Sequence, residues 1–393
     1  MTEVYERQYV AEIRKRLAEP RFTIIAVTGP RQVGKTTLVR QALEGTQVPV
    51  IYENADGLAR SADGWIADVW AGARRTAAGG TAVLVIDEIQ KVAEWSEAVK
   101  REWDADTWNN VDVRVIVLGS STVLLNKGLR ESLAGRFERI RVPTWSFSEM
   151  KTAFNWNLET FAIYGGYPGS VPYIDDRERW RSYMMDSVIE PVILKDVLQL
   201  YRIDKPALLR ELMLVGATMS SREVSYTKLL GVLHDAGNTS TVVHYLDILE
   251  EAGVLCGLSK FSTSVITRRT SPKLQVFANG ISTACGAPWS PSMNSDDFGR
   301  CYESLVGTHL RNLTDGTFFK LSWWRDGNDE VDFVIHDHRT CLAIEVSTGT
   351  RHGWRGIDAL RKKHPHSRAI RVGTDGISNE SFLSLPLSDI MNL

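Results

Sequence analysis

The chain has 393 residues, of which 43% are hydrophobic and 24% charged. This composition excludes a disordered protein, and the length exceeds that of a single compact α/β domain. Its 46 basic and 48 acidic residues give a formal net charge of -2, so no overall positive field attracts nucleic acid or anionic membrane.

Membrane and secretory classes also find no support in the sequence. No apolar run reaches the roughly 18 residues that a membrane-spanning helix needs. The four cysteines, Cys256, Cys285, Cys301 and Cys341, are far apart and form no CxxC pair, which argues against a disulfide framework. We therefore expect a cytoplasmic protein without a membrane partner.

Short apolar runs alternate with helical stretches from residue 23 to residue 142. The five runs cover 23–28, 48–52, 82–87, 113–119 and 137–142. Continuous apolar strands separated by helices are typical of a parallel sheet covered on both faces. The pattern predicts an α/β fold with a parallel sheet.

The loop after the first run carries a phosphate-binding pattern, G-x-x-x-x-G-K-[ST]. Its residues are Gly29, Pro30, Arg31, Gln32, Val33, Gly34, Lys35 and Thr36, and Thr37 opens the helical run that follows. Glycines let backbone N–H groups turn towards a phosphate at a helix N-terminus. Lys35 is placed to contact the β and γ oxygens, and the Thr36 hydroxyl to bind Mg²⁺. The loop predicts ATP or ADP with Mg²⁺ as cofactors.

Polar residues follow the third and fourth runs, where the carboxyl ends of parallel strands meet the ligand crevice. Asp87 ends the third run and Glu88 follows it. We expect Asp87 to bind the magnesium shell and Glu88 to polarise the attacking water. Ser120, after the fourth run, is expected to contact the γ-phosphate or the water, although serine is also a common helix N-cap.

Two arginines precede the fifth run and are candidates for an arginine finger. Arg130 and Arg136 lie in the segment 129–136, which we expect at the rim of the nucleotide site. There Arg136, the preferred candidate, would reach the γ-phosphate of a neighbouring subunit. The alternative is a surface arginine that pairs with Glu138.

At this point the sequence resembles a family. The stretches GPRQVGKTT, VIDEIQK, LGSS and SLAGR, followed by VPTWSFSE and YGGYPGSV, are similar to those of prokaryotic AAA-type ATPases with a C-terminal domain of uncharacterised function. The resemblance implies an AAA+ P-loop ATPase domain, a winged-helix middle and a restriction-endonuclease-like end. We place these at 1–149, 206–272 and 273–393, with a helical connector at 150–205.

The middle segment has the residue pattern of a helix-turn-helix over 225–249, with Asn238 or Thr239 as the N-cap of its second helix. A DNA-reading helix should be basic. Residues 201–260 instead contain six Lys and Arg against seven Asp and Glu. This balance favours packing within the chain or between subunits over duplex reading.

The tail carries acids in the arrangement of a restriction-endonuclease-like metal site. Asp332 and Glu345 lie on neighbouring predicted strands, and Glu303 lies on the helix before them. This pattern expects a lysine two residues after the glutamate, where this chain has Ser347. A neutral hydroxyl cannot supply the charge, so we expect a vestigial, weak or inactive nuclease site, with Lys320 as a possible migrated substitute.

One clearly basic segment spans 351–372, where seven Lys and Arg face a single acid. A nucleic-acid backbone contact and a solvated helix face are both compatible with it. The sequence as a whole predicts an ATPase, and possible homo-oligomer, that acts as a nucleotide-dependent switch for a nuclease-like domain in a nucleic-acid-directed defence or toxin system. The alternatives are a regulatory ATPase that grips a protein partner, and an active metal-dependent nuclease.

Overall fold

The computed structural model describes residues 5–57, 64–119, 128–129, 132–198, 201, 203–234, 237–262, 270–347 and 354–393. The chain divides into two compact units, 1–143 and 144–393. The connector, middle and tail segments distinguished in the sequence therefore lie in one unit. The middle and tail segments share a hydrophobic cluster that joins Cys256 and Leu258 to Phe333 and Ile344.

The first unit is built on a five-stranded parallel sheet with strand order β2-β3-β4-β1-β5. Each strand overlaps one of the five apolar runs, and the predicted parallel α/β sheet is confirmed. Its strands are β1 Ile24–Thr28, β2 Val50–Asn54, β3 Thr81–Asp87, β4 Asp112–Leu118 and β5 Phe137–Arg141. The described helices are α1 Gln8–Ala18, α2 Lys35–Leu43, α3 Trp65–Ala77 and α4 Trp95–Asn109.

A buried ion pair fastens α3 to α4 on one face of this sheet. Asp106 is 1% exposed and accepts hydrogen bonds from Trp70 Nε1 and Arg74 Nε, each at 2.6 Å. Arg74 also donates to Glu102 Oε2 at 2.8 Å. The two helices are therefore joined by charge as well as by apolar contact.

We expect Asp106→Ala to destabilise the first unit by about 3–5 kcal/mol, because it leaves the Arg74 charge and the indole N–H without their partner. Chemical denaturation followed by circular dichroism measures the loss. Asp104→Ala is the matched control on the same helix, since Asp104 makes an exposed ion pair with Arg136 and such pairs contribute about 1 kcal/mol or less. Equal losses in the two variants would contradict the assignment.

The second unit begins with helices, as the sequence predicts for 150–205. They are α5 Phe147–Phe154, α6 Leu158–Tyr164 and α7 Arg177–Met184, after which π-helical turns cover Met185–Ile189 and Val192–Val197. Three helices follow: α8 Pro206–Thr218, α9 Tyr226–Val232 and α10 Thr239–Glu251. Asn238 is the N-cap of α10, where its Oδ1 accepts from Thr241 N at 3.0 Å.

An antiparallel hairpin follows these helices, with strands β6 Leu255–Leu258 and β7 Lys273–Val276. Next come α11 Asn279–Ala284, α12 Ser295–Thr314, β8 Lys320–Asp326, β9 Asp329–His336, β10 Cys341–Ser347, α13 Arg355–Lys363 and β11 Arg368–Gly373. The chain ends with α14 Asn379–Phe382 and α15 Leu387–Ile390.

The last four strands form a sheet of order β11-β10-β9-β8. Strands β8, β9 and β10 pair antiparallel, and β11 runs parallel to β10. From α12 to β11 the chain therefore runs as a helix, three strands, a helix and a strand. Among the described residues, no helix has the length and apolar character needed to cross a bilayer.

Candidate functional site

The phosphate-binding pattern forms the turn between β1 and α2, at the carboxyl edge of the parallel sheet. Two glycines are required by its geometry. Gly34 has φ of 86°, and a Cβ at Gly29 would lie 2.0 Å from the Val142 carbonyl oxygen. Thr37 lies in the first turn of α2. The sequence therefore places backbone N–H groups and a helix N-terminus together, which is a suitable cradle for phosphate.

The Lys35 ammonium lies inside this loop. It donates to the carbonyl oxygens of Gly29 and Pro30 at 2.9 and 2.7 Å, and the residue is 7% exposed. The turn thus holds the cation against its own backbone, beside the N-terminus of α2. A phosphate bound in the cradle would meet a positive charge already in position.

Oxygen ligands meet at the end of β3. Asp87 is 3% exposed, and its Oδ2 accepts hydrogen bonds from Thr36 Oγ1 at 2.8 Å and from the Tyr52 hydroxyl at 2.7 Å. Burial and the bond to Asp87 raise the pKa of Tyr52 well above its ordinary value, so this phenol stays a donor. A hydroxyl and a carboxylate in contact beside a phosphate loop form a donor set that fits Mg²⁺.

Glu88 lies next to this pair in a left-handed backbone conformation, with φ of 53°. Its N–H donates to Asp87 Oδ1 at 2.8 Å, and its Oε2 accepts from Gln90 Nε2 at 2.7 Å. Lys91 Nζ lies 3.9 Å from the same Oε2. The Glu88 carboxylate is therefore oriented by its own turn, at the same edge of the sheet as Lys35.

The predicted γ-phosphate sensor, Ser120, lies outside the described residues, and so does Arg130. The described residue before Ser120 is Gly119, at the carboxyl end of β4. A Cβ there would lie 2.0 Å from Gln90 Oε1. The absence of a side chain at Gly119 gives the Gln90 amide room to lie against the tip of β4 while it contacts Glu88.

Arg136 does not lie at the rim of the nucleotide loop of its own chain. Its carbonyl oxygen accepts from Ile24 N at 2.8 Å, which places it at the amino end of β1 and β5, whereas the loop follows their carboxyl end. Four residues of strand separate the two edges by roughly 13 Å. Its guanidinium pairs with Asp104 at 2.7 and 2.9 Å, while Glu138, the partner considered in the sequence, pairs with Arg16 at 2.8 Å.

In the second unit, three of the predicted acids meet beside β9 and β10. Asp332 Oδ2 accepts from Val346 N at 2.8 Å, and Glu345 Oε2 is buried without a hydrogen-bond partner among the described residues. Burial, followed by the charge of Asp332, raises the pKa of Glu345 to about 9. Burial likewise raises the pKa of Glu303 to about 7. These pKa shifts reflect burial first and the neighbouring carboxylates second.

A lysine occupies this acidic cluster, and it is Lys273 from β7. Its Nζ lies 2.5 Å from Glu303 Oε1 and 3.6 Å from both Glu330 Oε1 and Asp332 Oδ1, and the residue is 1% exposed. Burial alone would lower the pKa of this ammonium, but the neighbouring acids raise it above its usual value. The cluster therefore contains a permanent cation.

The lysine suggested by the sequence lies elsewhere. Lys320 is exposed and pairs across the sheet with His336, four residues along β9 from Asp332 and roughly 13 Å away. Ser347 is buried at the end of β10. Lys320 is therefore the wrong candidate for a migrated lysine, because its strand register directs it to the far end of the sheet.

The basic segment 351–372 is partly neutralised by acids outside it. Arg355 pairs with Asp329 at 2.5 Å and Lys363 with Asp326 at 2.7 Å, while Arg368 donates to the Met391 carbonyl. Arg351 lies outside the described residues. The local excess of positive charge in the folded chain is thus smaller than the sequence count.

Comparison with known proteins identifies two regions. The sequence profile of the AAA domain matches residues 21–151. A profile described as a domain of unknown function (DUF8612) matches residues 155–290. The chain therefore contains one region similar to AAA domains and a second region similar to a domain whose profile carries no assigned activity.

Curated relatives match about two thirds of the chain. An uncharacterised protein of Methanocaldococcus jannaschii is 26% identical over 272 residues, covering 64% of this chain and 58% of that protein. One of Mycobacterium tuberculosis is 27% identical over 277 residues, covering 69% of this chain and 58% of that protein. The chain thus matches rather more than half the length of these curated relatives.

Solved structures similar to the chain are P-loop AAA+ proteins. DnaA from Aquifex aeolicus is 15% identical with a TM-score of 0.32, covering 63% of this chain and 87% of that one. The Aeropyrum pernix ORC1 protein in complex with DNA is 13% identical with a TM-score of 0.31, covering 72% and 93%.

Three contributors to these sites were missed in the sequence. Tyr52 and Gln90 contact the acids at the end of β3, and Lys273 lies in the C-terminal cluster. A tyrosine within a strand and a glutamine two residues after a catalytic candidate have no distinctive pattern. The one available signal for Lys273 is a charged residue that opens a mostly apolar run, KLQVFA.

Proposed function

We propose that the chain binds and hydrolyses ATP with Mg²⁺ at the edge of its parallel sheet. The observation that supports this most directly is the contact between Thr36 Oγ1 and Asp87 Oδ2 at 2.8 Å, beside the buried Lys35. Thr36 and Asp87 would hold Mg²⁺, which when bound neutralises the charge that develops on the phosphate oxygens. Release of inorganic phosphate from ATP by the purified chain is the primary test.

The chain's own residues divide the work of hydrolysis. The loop 29–37 holds the phosphates through its backbone N–H groups, and Lys35 adds a positive charge at the β and γ oxygens. Glu88 orients the attacking water and takes its proton. Ser120 is assigned to the γ-phosphate or the water on the sequence pattern alone.

Arg136 is proposed to act on a neighbouring chain. Its position at the opposite edge of the sheet from the loop supports action in trans rather than in cis, which makes the active form a homo-oligomer. In the isolated chain Asp104 pairs with this guanidinium, so the ion pair would be exchanged for a phosphate contact on assembly.

The test of this role is Arg136→Ala. We expect it to bind ATP normally and to lose about 10³-fold or more of its hydrolysis rate, on the scale of arginine fingers. Mixing it with Glu88→Gln chains should restore part of the activity, because one interface then contains both groups. Arg101→Ala is the control. Arg101 is an exposed arginine of α4, the helix whose Asp104 pairs with Arg136. Hydrolysis by a strict monomer at a concentration-independent rate would contradict action in trans.

We further propose that ATP binding and hydrolysis switch the second unit, whose order of elements supports a winged-helix-like segment followed by a restriction-endonuclease-like domain. A γ-phosphate and its metal can hold loops together until hydrolysis releases them. We favour a role in a nucleic-acid-directed defence or toxin system. The second candidate is a regulatory ATPase that grips a protein partner.

The partner class is distinguished by the ATPase rate. We expect DNA or RNA to stimulate hydrolysis, with an effect that falls steeply as salt rises. Stimulation by a protein fraction of a lysate that survives nuclease treatment, with no effect of either nucleic acid, would favour the second candidate instead.

A further inference from the structure

The turn that follows Glu88 is anchored by apolar packing. It is a short 3₁₀ helix, Ile89–Lys91, at the end of β3. Ile89 is 0% exposed and lies in a hydrophobic cluster of the first unit, and Lys91 N donates to the Glu88 carbonyl oxygen at 3.0 Å. Packing and backbone hydrogen bonding therefore fix the place from which the Gln90 side chain extends.

The Gln90 amide bridges the Glu88 carboxylate and the tip of β4. Its Nε2 donates to Glu88 Oε2 at 2.7 Å. A Cβ added at Gly119 would have this amide as its three nearest neighbours, with Oε1 at 2.0 Å, Cδ at 2.8 Å and Nε2 at 3.3 Å. Gly119 does not have a positive φ, so the contact with Gln90, rather than the backbone, calls for glycine at this position.

The carboxylate decides which way this amide faces. Nε2 points at Glu88, and Oε1, on the side of Gly119, is buried without a hydrogen-bond partner among the described residues. The reversed amide would put an acceptor oxygen against a carboxylate oxygen, which offers no hydrogen bond. The bond from Gln90 to Glu88 is charge-assisted and therefore a strong restraint on where the carboxylate lies.

The order of the strands gives this restraint a direction. Strand β4 lies between β3, which ends at Asp87, and β1, which leads into the phosphate loop. An amide that rests on the tip of β4 therefore holds the Glu88 carboxylate on the side of β3 that faces the loop. On the other side of β3, Lys91 Nζ lies 3.9 Å from Glu88 Oε2 and pairs with Asp56, which follows β2. Without the amide, this lysine would draw the carboxylate away from the loop.

We propose that Gln90 is a positioning residue for hydrolysis, which holds the Glu88 carboxylate towards the phosphate loop, and that Gly119 is the platform on which its amide rests. The inference rests on the proposed function, in which Glu88 orients the attacking water. An amide neither gains nor loses a proton at neutral pH. Gln90 therefore acts on the place of the carboxylate, and proton transfer stays with Glu88.

The first experiment removes the donor and keeps the length of the side chain. We expect Gln90→Met to lower the rate of single-turnover ATP hydrolysis by about 10- to 100-fold, on the scale of a hydrogen bond to a charged group or a slight misplacement of a catalytic group. ATP affinity should stay at the parent value, because the contacts of Lys35 and Thr36 do not involve Gln90. Gln47→Met is the matched control, since Gln47 is exposed and donates to its own loop, at Gly45 O.

The second experiment moves the amide without changing it. Gly119→Ala places a methyl group where the Gln90 amide now lies, and we expect a fall in rate like that of Gln90→Met. In a Gln90→Ala background the same substitution should have no further effect, because the group that it displaces is absent. Gly72→Ala is the control for a glycine change, since its Cβ would make an ordinary contact at 3.8 Å with Arg75 Nη2.

The third experiment asks whether Gln90 acts through Glu88. Adding Gln90→Met to Glu88→Gln should leave the rate of Glu88→Gln unchanged, because the carboxylate that Gln90 positions is already gone. A merely structural role of Gln90 would lower the rate by the same factor in both backgrounds. Thermal unfolding checks that each variant folds, and Gly119→Ala decides the question if Gln90→Met does not.

Parent-like hydrolysis by folded Gln90→Met and Gly119→Ala would overturn the inference. So would faster hydrolysis, which would make Gln90 a restraint on Glu88, and so would an equal further loss in the Glu88→Gln background. These outcomes differ from failure of the proposed function. If the parent does not hydrolyse ATP, or if Glu88→Gln hydrolyses it at the parent rate, the assignment of Glu88 fails first. Loss in Glu88→Gln with no loss in Gln90→Met removes Gln90 alone.

Discussion

Lys35→Ala is expected to abolish tight ATP binding. Lys35 is the cation held inside the phosphate loop by the Gly29 and Pro30 carbonyl oxygens, and the alanine variant removes its charge from the loop. Loss of charged contacts to two phosphate oxygens costs about 3 kcal/mol or more, which is at least ~100-fold in affinity. Equilibrium titration with a fluorescent ATP analogue measures the change.

The control for this experiment is Lys100→Ala. Lys100 lies on α4 with its side chain 39% exposed, 3.8 Å from Glu97, so its loss leaves the phosphate loop intact. We expect parent-like affinity in that variant, and thermal unfolding should confirm that both variants fold. ATP binding by Lys35→Ala within threefold of the parent would show that the loop is not the nucleotide site.

Glu88→Gln is expected to bind ATP like the parent and to hydrolyse it about 10²–10⁴-fold more slowly, the range for removal of a general base. The amide keeps the shape of the side chain, so the backbone turn at Glu88 and the bond from its N–H to Asp87 can persist. The amide cannot accept a proton at neutral pH. Single-turnover hydrolysis with bound ATP separates this effect on chemistry from any effect on binding.

Glu94→Gln provides the matched control for Glu88→Gln. Glu94 has nearly the same left-handed backbone, with φ of 52°, and it lies on the surface six residues further along the chain. Its substitution makes the same chemical change under the same backbone constraint. A fall in turnover shared by both variants would assign the effect to the local backbone, and undiminished turnover in Glu88→Gln would remove Glu88 from its role.

The residues of the candidate nucleotide site could be recognised because the pattern that carries them is local in sequence. The loop 29–37 follows a strand and starts a helix, and Asp87 ends the third of the five apolar runs. Parallel strands bring such ends to one edge of the sheet whatever the intervening helices do. The parallel sheet and the contact between Thr36 and Asp87 therefore follow from the pattern alone.

Contacts set by tertiary packing could not be predicted in this way. Arg136 has Glu138 two residues away in sequence, yet Glu138 pairs with Arg16 of α1 and Arg136 with Asp104 of α4. Lys273 reaches Glu303 and Asp332 from a different strand pair. In both cases the partner is chosen by how whole elements pack, and an ion pair between distant segments has no signature in either segment.

The origin of Lys273 in the β6–β7 hairpin has a consequence for how the second unit can be divided. A fragment that starts at α12 retains the four-stranded sheet with Asp332 and Glu345, but it loses the ammonium that lies among its acids. Such a fragment would leave several carboxylates without the cation that balances them, and it would be less stable. A stable fragment of the second unit should therefore include the β6–β7 hairpin together with the four-stranded sheet.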